Sequence, residues 1–370
     1  MNNCRIGVLT GGGDCAGLNP ALKWVTKAAL DSRFQATRTV TCGVVGIRDG
    51  WKGLIEVEPG TPEEANWLQP LDESVVRTWD RFGGTNLGTS RTNPFDPKKD
   101  RSKKVMENIE KLGIDVLIVI GGDDTLGVAH RLAQMGVKVV GVPKTIDNDL
   151  SATDYSLGFE TAVDVITEEI DRLRTTAGSH KRIFVVETMG RYTGWLSLAG
   201  GESSGAYIII VPECPFSIAK INSLLLDGKK RGLRYEIVVV AEGAKPEGGQ
   251  EIVQRGGTDA FGHKALGGVG QFLADQIAEG TGLDTRSVTL SHLQRGGAPC
   301  AYDRRMGRYF GIAAVDMVVR GEFGRMVSYR NGRITSVDLK EAIGKQHRVD
   351  IENDYDVERY NGKRTILGYR

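Results

Sequence analysis

Arg5-Ile6-Gly7-Val8-Leu9-Thr10-Gly11-Gly12-Gly13-Asp14 runs from an apolar stretch into a glycine loop, and so does Asp115-Val116-Leu117-Ile118-Val119-Ile120-Gly121-Gly122-Asp123-Asp124-Thr125. A helical pattern follows each loop. The first starts near Asn19-Pro20, a favoured N-cap and N1 pair, and the second is Leu126–Met135. Each loop therefore puts bare backbone N–H groups and a helix N-terminus at the carboxyl end of a strand. That is where α/β sheets take ligands, phosphates in particular. Neither loop is G-x-G-x-x-G, which disfavours a nicotinamide dinucleotide fold, and neither is G-x-x-x-x-G-K-[ST], so this is not a P-loop. An ordinary tight turn would explain one such loop. Two of the same build, both carrying Asp, favour a phosphate-binding reading.

Outward from these loops the chain alternates strand and helix. Strands are expected at Arg5–Thr10, Thr37–Val44, Val116–Ile120, Val137–Val142, Arg182–Glu187, Ala206–Val211, Glu236–Ala241 and Ser287–Leu290. They are almost continuously apolar, as strands covered on both faces should be. Helices are expected at Pro20–Leu30, Leu126–Met135, Phe159–Arg174, Ile218–Arg231, Leu266–Ala278 and Arg304–Val319. The alternation predicts α/β architecture with mainly parallel sheets flanked by helices. At 370 residues the chain has room for two lobes. The expected division is residues 1–150 with part of the C-terminus, then 151–319, then a segment 320–370 that crosses back or wraps the surface.

Composition narrows the function. Lys+Arg is 48 and Asp+Glu is 47, a formal net charge of +1, so nothing global points to nucleic acid or an anionic membrane. A bound anion must be held by local charge. The 49 glycines are about 13 % of the chain against a usual ~7 %. They cluster at the ends of apolar runs, where tight turns are needed. The five cysteines, Cys4, Cys15, Cys42, Cys214 and Cys300, are odd in number and contain no C-x-x-C. That argues against a disulfide framework or a thiolate zinc site, and for a reducing compartment. No run approaches the ~18 apolar residues of a membrane span, and the N-terminus lacks a signal peptide's apolar stretch. The expectation is a soluble cytoplasmic protein.

Aspartates in a phosphate loop need an explanation, because anions repel. A hard divalent cation supplies one, since Mg²⁺ takes one or two carboxylates plus phosphate oxygens. Asp123 is therefore a candidate Mg²⁺ ligand, while Asp14 also suits an ordinary turn. A third segment, Pro143-Lys144-Thr145-Ile146-Asp147-Asn148-Asp149, follows the strand Val137–Val142. If it is extended, Asp147 and Asp149 point one way and Asn148 the other. Two carboxylates beside a lysine suit phosphoryl transfer, one positioning metal and one accepting a hydroxyl proton. A polar turn with solvated acids is the bland alternative.

Together these segments resemble the phosphofructokinase family. The resemblance extends through Gly83-Gly84-Thr85-Asn86-Leu87-Gly88-Thr89-Ser90-Arg91, Met189-Gly190-Arg191, Val238-Val239-Val240-Ala241-Glu242-Gly243 and His292-Leu293-Gln294-Arg295-Gly296-Gly297, in family order from about Arg5 to Val319. It implies a two-lobed fold and Mg²⁺-dependent phosphoryl transfer to fructose 6-phosphate. By the resemblance, Asp147 takes the proton from the sugar 1-hydroxyl, Asp123 and Asp149 lie near Mg²⁺, and Thr145 contacts the reacting region. Gly13 gives a backbone contact to the moving phosphoryl group, and Arg91 offsets phosphate charge. The phosphoryl donor lies along Gly12, Gly13, Gly122, Asp124, Thr125 and Lys144. The sugar phosphate is held by Thr145, Asp147, Asp149, Met189, Gly190, Arg191, Glu242, His292 and Arg295. Arg182 and Arg286 match positions that reach a neighbouring subunit's sugar site, which implies a homodimer or homotetramer.

The family splits by donor. Many ATP-using members carry glycine where this chain has Asp124, and many carry glycine where it has Lys144. The Asp and Lys pair marks the pyrophosphate-dependent type. A carboxylate at 124 fills space that a nucleotide α-phosphate needs and sets like charges ~4 Å apart, several kcal/mol at an intermediate dielectric. Lys144 offers a compact cation to a short donor. The expected reaction is reversible transfer from pyrophosphate to fructose 6-phosphate, giving fructose 1,6-bisphosphate and phosphate. ATP-dependent phosphofructokinase is the alternative. A non-catalytic subunit and a NAD or lipid kinase are more distant ones. Regulated bacterial-type members carry effector-binding arginines where this chain has Lys23 and Lys27, which makes nucleotide control doubtful.

Overall fold

The computed structural model describes residues 2–31, 40–249, 253–258, 261 and 264–367. The chain folds as two compact units. The first comprises residues 1–161, 259–263 and 295–346, and the second 162–258, 264–294 and 347–370.

The first unit is built on a seven-stranded sheet. Its strands are β1 (Asn2–Thr10), β2 (Val40–Ile47), β3 (Leu68–Leu71), β4 (Val116–Gly121), β5 (Val139–Pro143), β12 (Arg325–Arg330) and β13 (Arg333–Asp338), in the order β13-β12-β5-β4-β1-β2-β3. The five central strands run parallel, and only the edges β3 and β13 are antiparallel. β4 is buried at every position, as its unbroken apolar sequence requires. From β1 the chain passes through α1 (Leu18–Leu30) to β2, on one side. From β4 it passes through α3 (Asp123–Gln134) to β5, on the other. Strand order thus reverses between β1 and β4, the kind of crevice where open α/β sheets bind ligands. Both glycine loops open there. Between those two halves, α2 (Ser102–Lys111) follows the polar segment after Pro94.

The second unit has a four-stranded, wholly parallel sheet. Its strands are β6 (Ile183–Thr188), β7 (Ile208–Ile210), β8 (Glu236–Ala241) and β11 (Thr285–Thr289), in the order β11-β6-β8-β7. The chain enters through α4 (Phe159–His180), and α5 (Trp195–Ser203), α6 (Ile218–Lys230) and α7 (Val269–Thr281) connect its strands. A hairpin, β9 (Val253–Thr258) with β10 (Lys264–Leu266), precedes α7.

Several expectations need correction. The chain returns to the first unit at residue 295, not 320, because α8 (Ala301–Arg320) packs along α1. Gly307 and Gly311 allow that close approach. A Cβ at Gly307 would meet Pro20 at 2.6 Å, and one at Gly311 would meet the backbone N of Val25 at 2.8 Å. Residues 151–161 likewise belong to the first unit. The C-terminal stretch is more than a wrapping tail. Residues 347–370 belong to the second unit, where Tyr355 and Tyr360 are buried. Tyr355 Oη donates to Ile209 O (2.6 Å), and Ile209 N donates to Tyr360 O (2.7 Å), next to the strand pair β14 (Tyr355–Asp356) and β15 (Asn361–Gly362). The first helix starts at Leu18 with Gly17 as N-cap, so Asn19 is no cap. Its buried side chain instead donates to Phe82 O and Gly83 O and accepts from Asn86 N. Of the strand expected at Thr37–Val44, residues 37–39 lie outside the described residues, and β2 extends to Ile47.

Asp303 anchors the returning helix. It is fully buried, and its carboxylate accepts from Tyr155 Oη (2.6 Å), Gly158 N (2.6 Å), Thr161 N (2.9 Å) and Thr161 Oγ1 (2.6 Å). It thereby supplies the acceptor that the amino end of α4 needs. Replacing it with alanine strands several buried donors, each costing roughly 1–3 kcal/mol. Asp303→Ala is expected to lower the unfolding free energy by about 3 kcal/mol or more, as measured by urea denaturation; a change under about 1 kcal/mol would contradict this anchoring role.

Candidate active site

In the first unit, the two glycine loops and the segment after β5 are tied together through their backbones. Gly11 N donates to Ile120 O (3.0 Å), and Lys144 N donates to Gly121 O (3.0 Å). Thr125 fills the gap between the loops. A Cβ on Gly11 would come within 2.5 Å of its side chain, and one on Gly121 would also collide with it. The segment 83–91 lies over the first loop. Thr89 Oγ1 donates to Gly12 O (2.7 Å), Gly12 N donates to Ser90 O (3.2 Å), and Thr85 Oγ1 meets Thr10 Oγ1 at 2.9 Å. This places exposed Arg91 directly after the residue bonded to Gly12.

The first loop also collects two cations. Lys144 is 3 % exposed, and its Nζ donates to Gly13 O at 2.5 Å. Arg295 Nη1 donates to Asp14 O (3.1 Å), so close to Gly13 that a Cβ there would lie 2.6 Å from that nitrogen. Burial brings the Lys144 ammonium down to about 8, and Arg295 pushes the same way, while Asp14 and Asp147 oppose. Cys15 is buried nearby and donates to Leu157 O (3.3 Å), with burial raising its thiol to about 11. An anion arriving at Gly12–Gly13 would meet a cation already desolvated.

The segment after β5 does not run on extended, as the alternation argument assumed. Ile146 and Asp147 form a turn, and Asn148 adopts the left-handed conformation (φ +50°), so no simple two-sided alternation relates Asp147 to Asp149. Ser156 holds the bend, its Oγ donating to Thr145 O (2.6 Å) and its N to Asn148 Oδ1 (2.9 Å). Asp147 is 6 % exposed, and its N–H donates to Thr145 Oγ1 (3.2 Å). On α3, Gly122 is the N-cap and Asp123 and Asp124 stand in the first turn. Asp123 Oδ1 accepts from Gly344 N (2.7 Å).

The second unit carries a separate cluster at the carboxyl ends of three adjacent strands. After β6 come Met189, Gly190 (φ +130°) and Arg191 (φ +51°); after β8 comes Glu242; after β11 come Ser291–Gln294. Arg191 N donates to Glu242 Oε1 (3.1 Å), and Gln294 Oε1 accepts from Met189 N (3.3 Å). Ser291 is also left-handed (φ +42°), and its Oγ lies 3.0 Å from His292 Nδ1. Left-handed non-glycine residues on both sides of this cluster are the kind of backbone strain that gathers at ligand sites.

Two buried residues of this cluster escaped the sequence reading. Gln294 lay inside a quoted motif, but its bracing role depends on a contact 105 residues away. Glu187 is 2 % exposed and accepts from Gly268 N (3.0 Å) and Gly270 N (2.7 Å), fixing the start of α7 beside the end of β6. Neither contact leaves a local pattern.

Three residues named for the sugar site lie outside this cluster, two of them expected to serve a neighbouring subunit. Arg295 belongs to the first unit, against the glycine loop. Arg182 and Arg286 sit at the amino ends of β6 and β11, bonded to Asp284 at 2.9 and 3.1 Å. A six-residue strand spans roughly 20 Å, so within one chain they stand apart from Met189, Glu242 and His292. Lys23 and Lys27 are engaged with Asp80 (2.7 Å) and Glu73 (2.6 Å).

The first unit's two glycine loops lie where an open α/β sheet reverses its strand order, the place where such sheets take ligands. A phosphofructokinase profile matches residues 5–318. The pyrophosphate–fructose 6-phosphate 1-phosphotransferase of Amycolatopsis methanolica is 47 % identical over 358 residues, 97 % of this chain and all of the relative. ATP-dependent 6-phosphofructokinase 3 of Streptomyces coelicolor is 44 % identical over 339 residues, covering 92 % of this chain and 94 % of the relative. In fold, the pyrophosphate-dependent phosphofructokinase of Nitrosospira multiformis superposes with a TM-score of 0.81 at 22 % identity, covering 97 % of this chain and 89 % of that one. The chain belongs to the phosphofructokinase family and is a phosphotransferase.

Lys144 gives a pH-dependent stability. Its pKa in the fold (about 8) is below the ordinary 10.5, so between those values the unfolded chain binds more protons and stability rises with pH. The unfolding free energy of the parent relative to Lys144→Met is expected to climb from pH 8 to 10.5 by chemical denaturation. A flat difference would contradict the buried ammonium.

Proposed function

We propose that the protein catalyses reversible, Mg²⁺-dependent phosphoryl transfer from pyrophosphate to the 1-hydroxyl of fructose 6-phosphate. The observation that carries the donor choice is the buried Lys144 ammonium on Gly13 O, with Asp124 in the first turn of α3. A small, highly charged donor gains from a desolvated cation and loses nothing if a carboxylate occupies nucleotide space.

The residue roles follow. Gly12, Gly13, Gly122 and Thr125 shape the donor loop and offer backbone N–H groups. Lys144 and Arg91 offset phosphate charge, and Asp147, aided by Thr145, takes the sugar hydroxyl proton. Met189, Gly190, Arg191, Glu242, His292 and Arg295 hold the sugar phosphate. The turn that brings Asp147 and Asp149 out of alternation gives the two acids different surroundings, which suits different tasks.

Mg²⁺ fits the residues present. Among the described residues no group of three or more His, Cys, Asp or Glu is arranged to cage a metal. Mg²⁺ does not require one, since it binds through one or two carboxylates and the substrate's phosphate oxygens. Asp123 and Asp149 would supply those carboxylates, and the ion would neutralise charge on the pyrophosphate. Arg182 and Arg286, at the amino ends of β6 and β11, are suited to completing the sugar site of a second copy in a homodimer or homotetramer. Among the described residues no helix is long and apolar enough to cross a membrane, compatible with the proposed cytoplasmic setting.

ATP-dependent transfer is the second reading, favoured by the 44 % identical relative of that name. A coupled assay on the purified chain separates the two. kcat/KM with pyrophosphate is expected to exceed that with ATP by at least about 100-fold, and a preference for ATP would overturn the donor assignment. Asp147→Ser is expected to lower kcat by ~10²–10⁴ with little change in KM. Near-normal turnover would remove Asp147 as the base.

A further inference from the structure

Cys4 and Cys42 are 38 positions apart in sequence, yet they are register partners on the parallel strands β1 and β2. Register partners project to the same face of a sheet. Adjacent strands stand ~4.8 Å apart, inside the ~4.4–6.8 Å window of Cα separations that a disulfide spans. The Cys42 side chain is near enough to raise the Cys4 thiol's pKa. Cys42 is 5 % exposed and Cys4 is half-buried, so Cys4 is the more accessible of the two. No C-x-x-C signals this pairing, which only the β1–β2 register creates.

We propose that Cys4 and Cys42 form a reversible intramolecular disulfide under oxidation by hydrogen peroxide, a covalent staple at the amino edge of the first unit's sheet. The Cys4 thiolate attacks one oxygen of the peroxide. The O–O bond breaks, hydroxide leaves, and Cys4 becomes a sulfenic acid. The Cys42 sulfur then attacks the Cys4 sulfur, the S–O bond breaks, and the departing oxygen takes the Cys42 proton as water. Two thiols lose two electrons in all, and one peroxide becomes two waters once the hydroxide takes up the Cys4 proton.

The surroundings set the pace. Contact with Cys42 and burial hold the Cys4 thiol well above its usual value, Asp115 adds to that, and Lys138 opposes it. Thiolate is therefore scarce at neutral pH, and the bond forms faster as pH rises. Closing it fixes the stretch 4–42, which contains Gly11–Gly13 and all of α1. Cys4 lies seven residues before Gly11, roughly 23 Å along the strand, so the staple constrains the loop's framework without touching its donor groups.

The test is a thiol count and a tryptic map of the full chain before and after peroxide treatment, read without reduction. Two of the five thiols are expected to disappear, fragments 1–5 and 39–48 to migrate as one linked species, and dithiothreitol to release them. Linking at pH 9 should be at least several-fold faster than at pH 7. The oxidised protein should melt about 5 °C higher, a shift absent in Cys42→Ser. The map on the unaltered chain needs no variant to fold. Five thiols that still titrate, Cys4 oxidised without linkage, or Cys4 joined to a second chain would each overturn the proposal.

Discussion

The ammonium of Lys144 lies 2.5 Å from the carbonyl of Gly13, almost out of reach of solvent. A buried cation is costly unless polar groups face it, and the first unit is arranged to provide them. Gly13 accepts its hydrogen bond, and Asp14 and Asp147 supply opposing charge. The β4–β5 register places Lys144 N on Gly121 O, so the same residue locks the second glycine loop. Moving Lys144 would therefore disturb both loops and the segment bearing Asp147.

Much of the remaining architecture braces that arrangement. Residues 155–158 run alongside 143–148, through Leu157 N to Pro143 O and Ser156 Oγ to Thr145 O. Asp303, on the returning helix, pins that strip through Tyr155, Gly158 and Thr161. Gly158 is needed where it packs on Cys15, since a Cβ there would sit 2.5 Å from Sγ, and its φ is +96°. The second unit uses the same strategy with other residues. Buried Gln294 holds the backbone at Met189, Glu242 holds it at Arg191, and buried Glu187 ties the end of β6 to the start of α7.

The parallel strands could be read directly, because burial on both faces leaves uninterrupted apolar runs such as Val116–Gly121 and Glu236–Ala241. The glycine loops were legible because their chemistry is local. What resisted was long-range. The antiparallel edge strand β13 buries only Val337, so it carries no apolar run to read. The return at residue 295 depends on helix packing through Gly307 and Gly311, not on any linker composition. The bend at Asn148 is enforced by Ser156, eight residues on, so a local alternation rule was bound to fail there. The partnership of Cys4 with Cys42 became visible only once β1 and β2 were in register.

The proposed donor choice rests on the Lys144 ammonium at Gly13 and on charge and space at Asp124 in the first turn of α3. We propose that the acidic side chain at 124 favours a bare diphosphate and excludes a nucleotide. The direct measurement is donor kinetics of Asp124→Gly alongside the parent. The account predicts that kcat/KM for pyrophosphate falls by at least about tenfold while ATP becomes a measurable donor. Unchanged pyrophosphate kinetics with no gain of ATP use would contradict it.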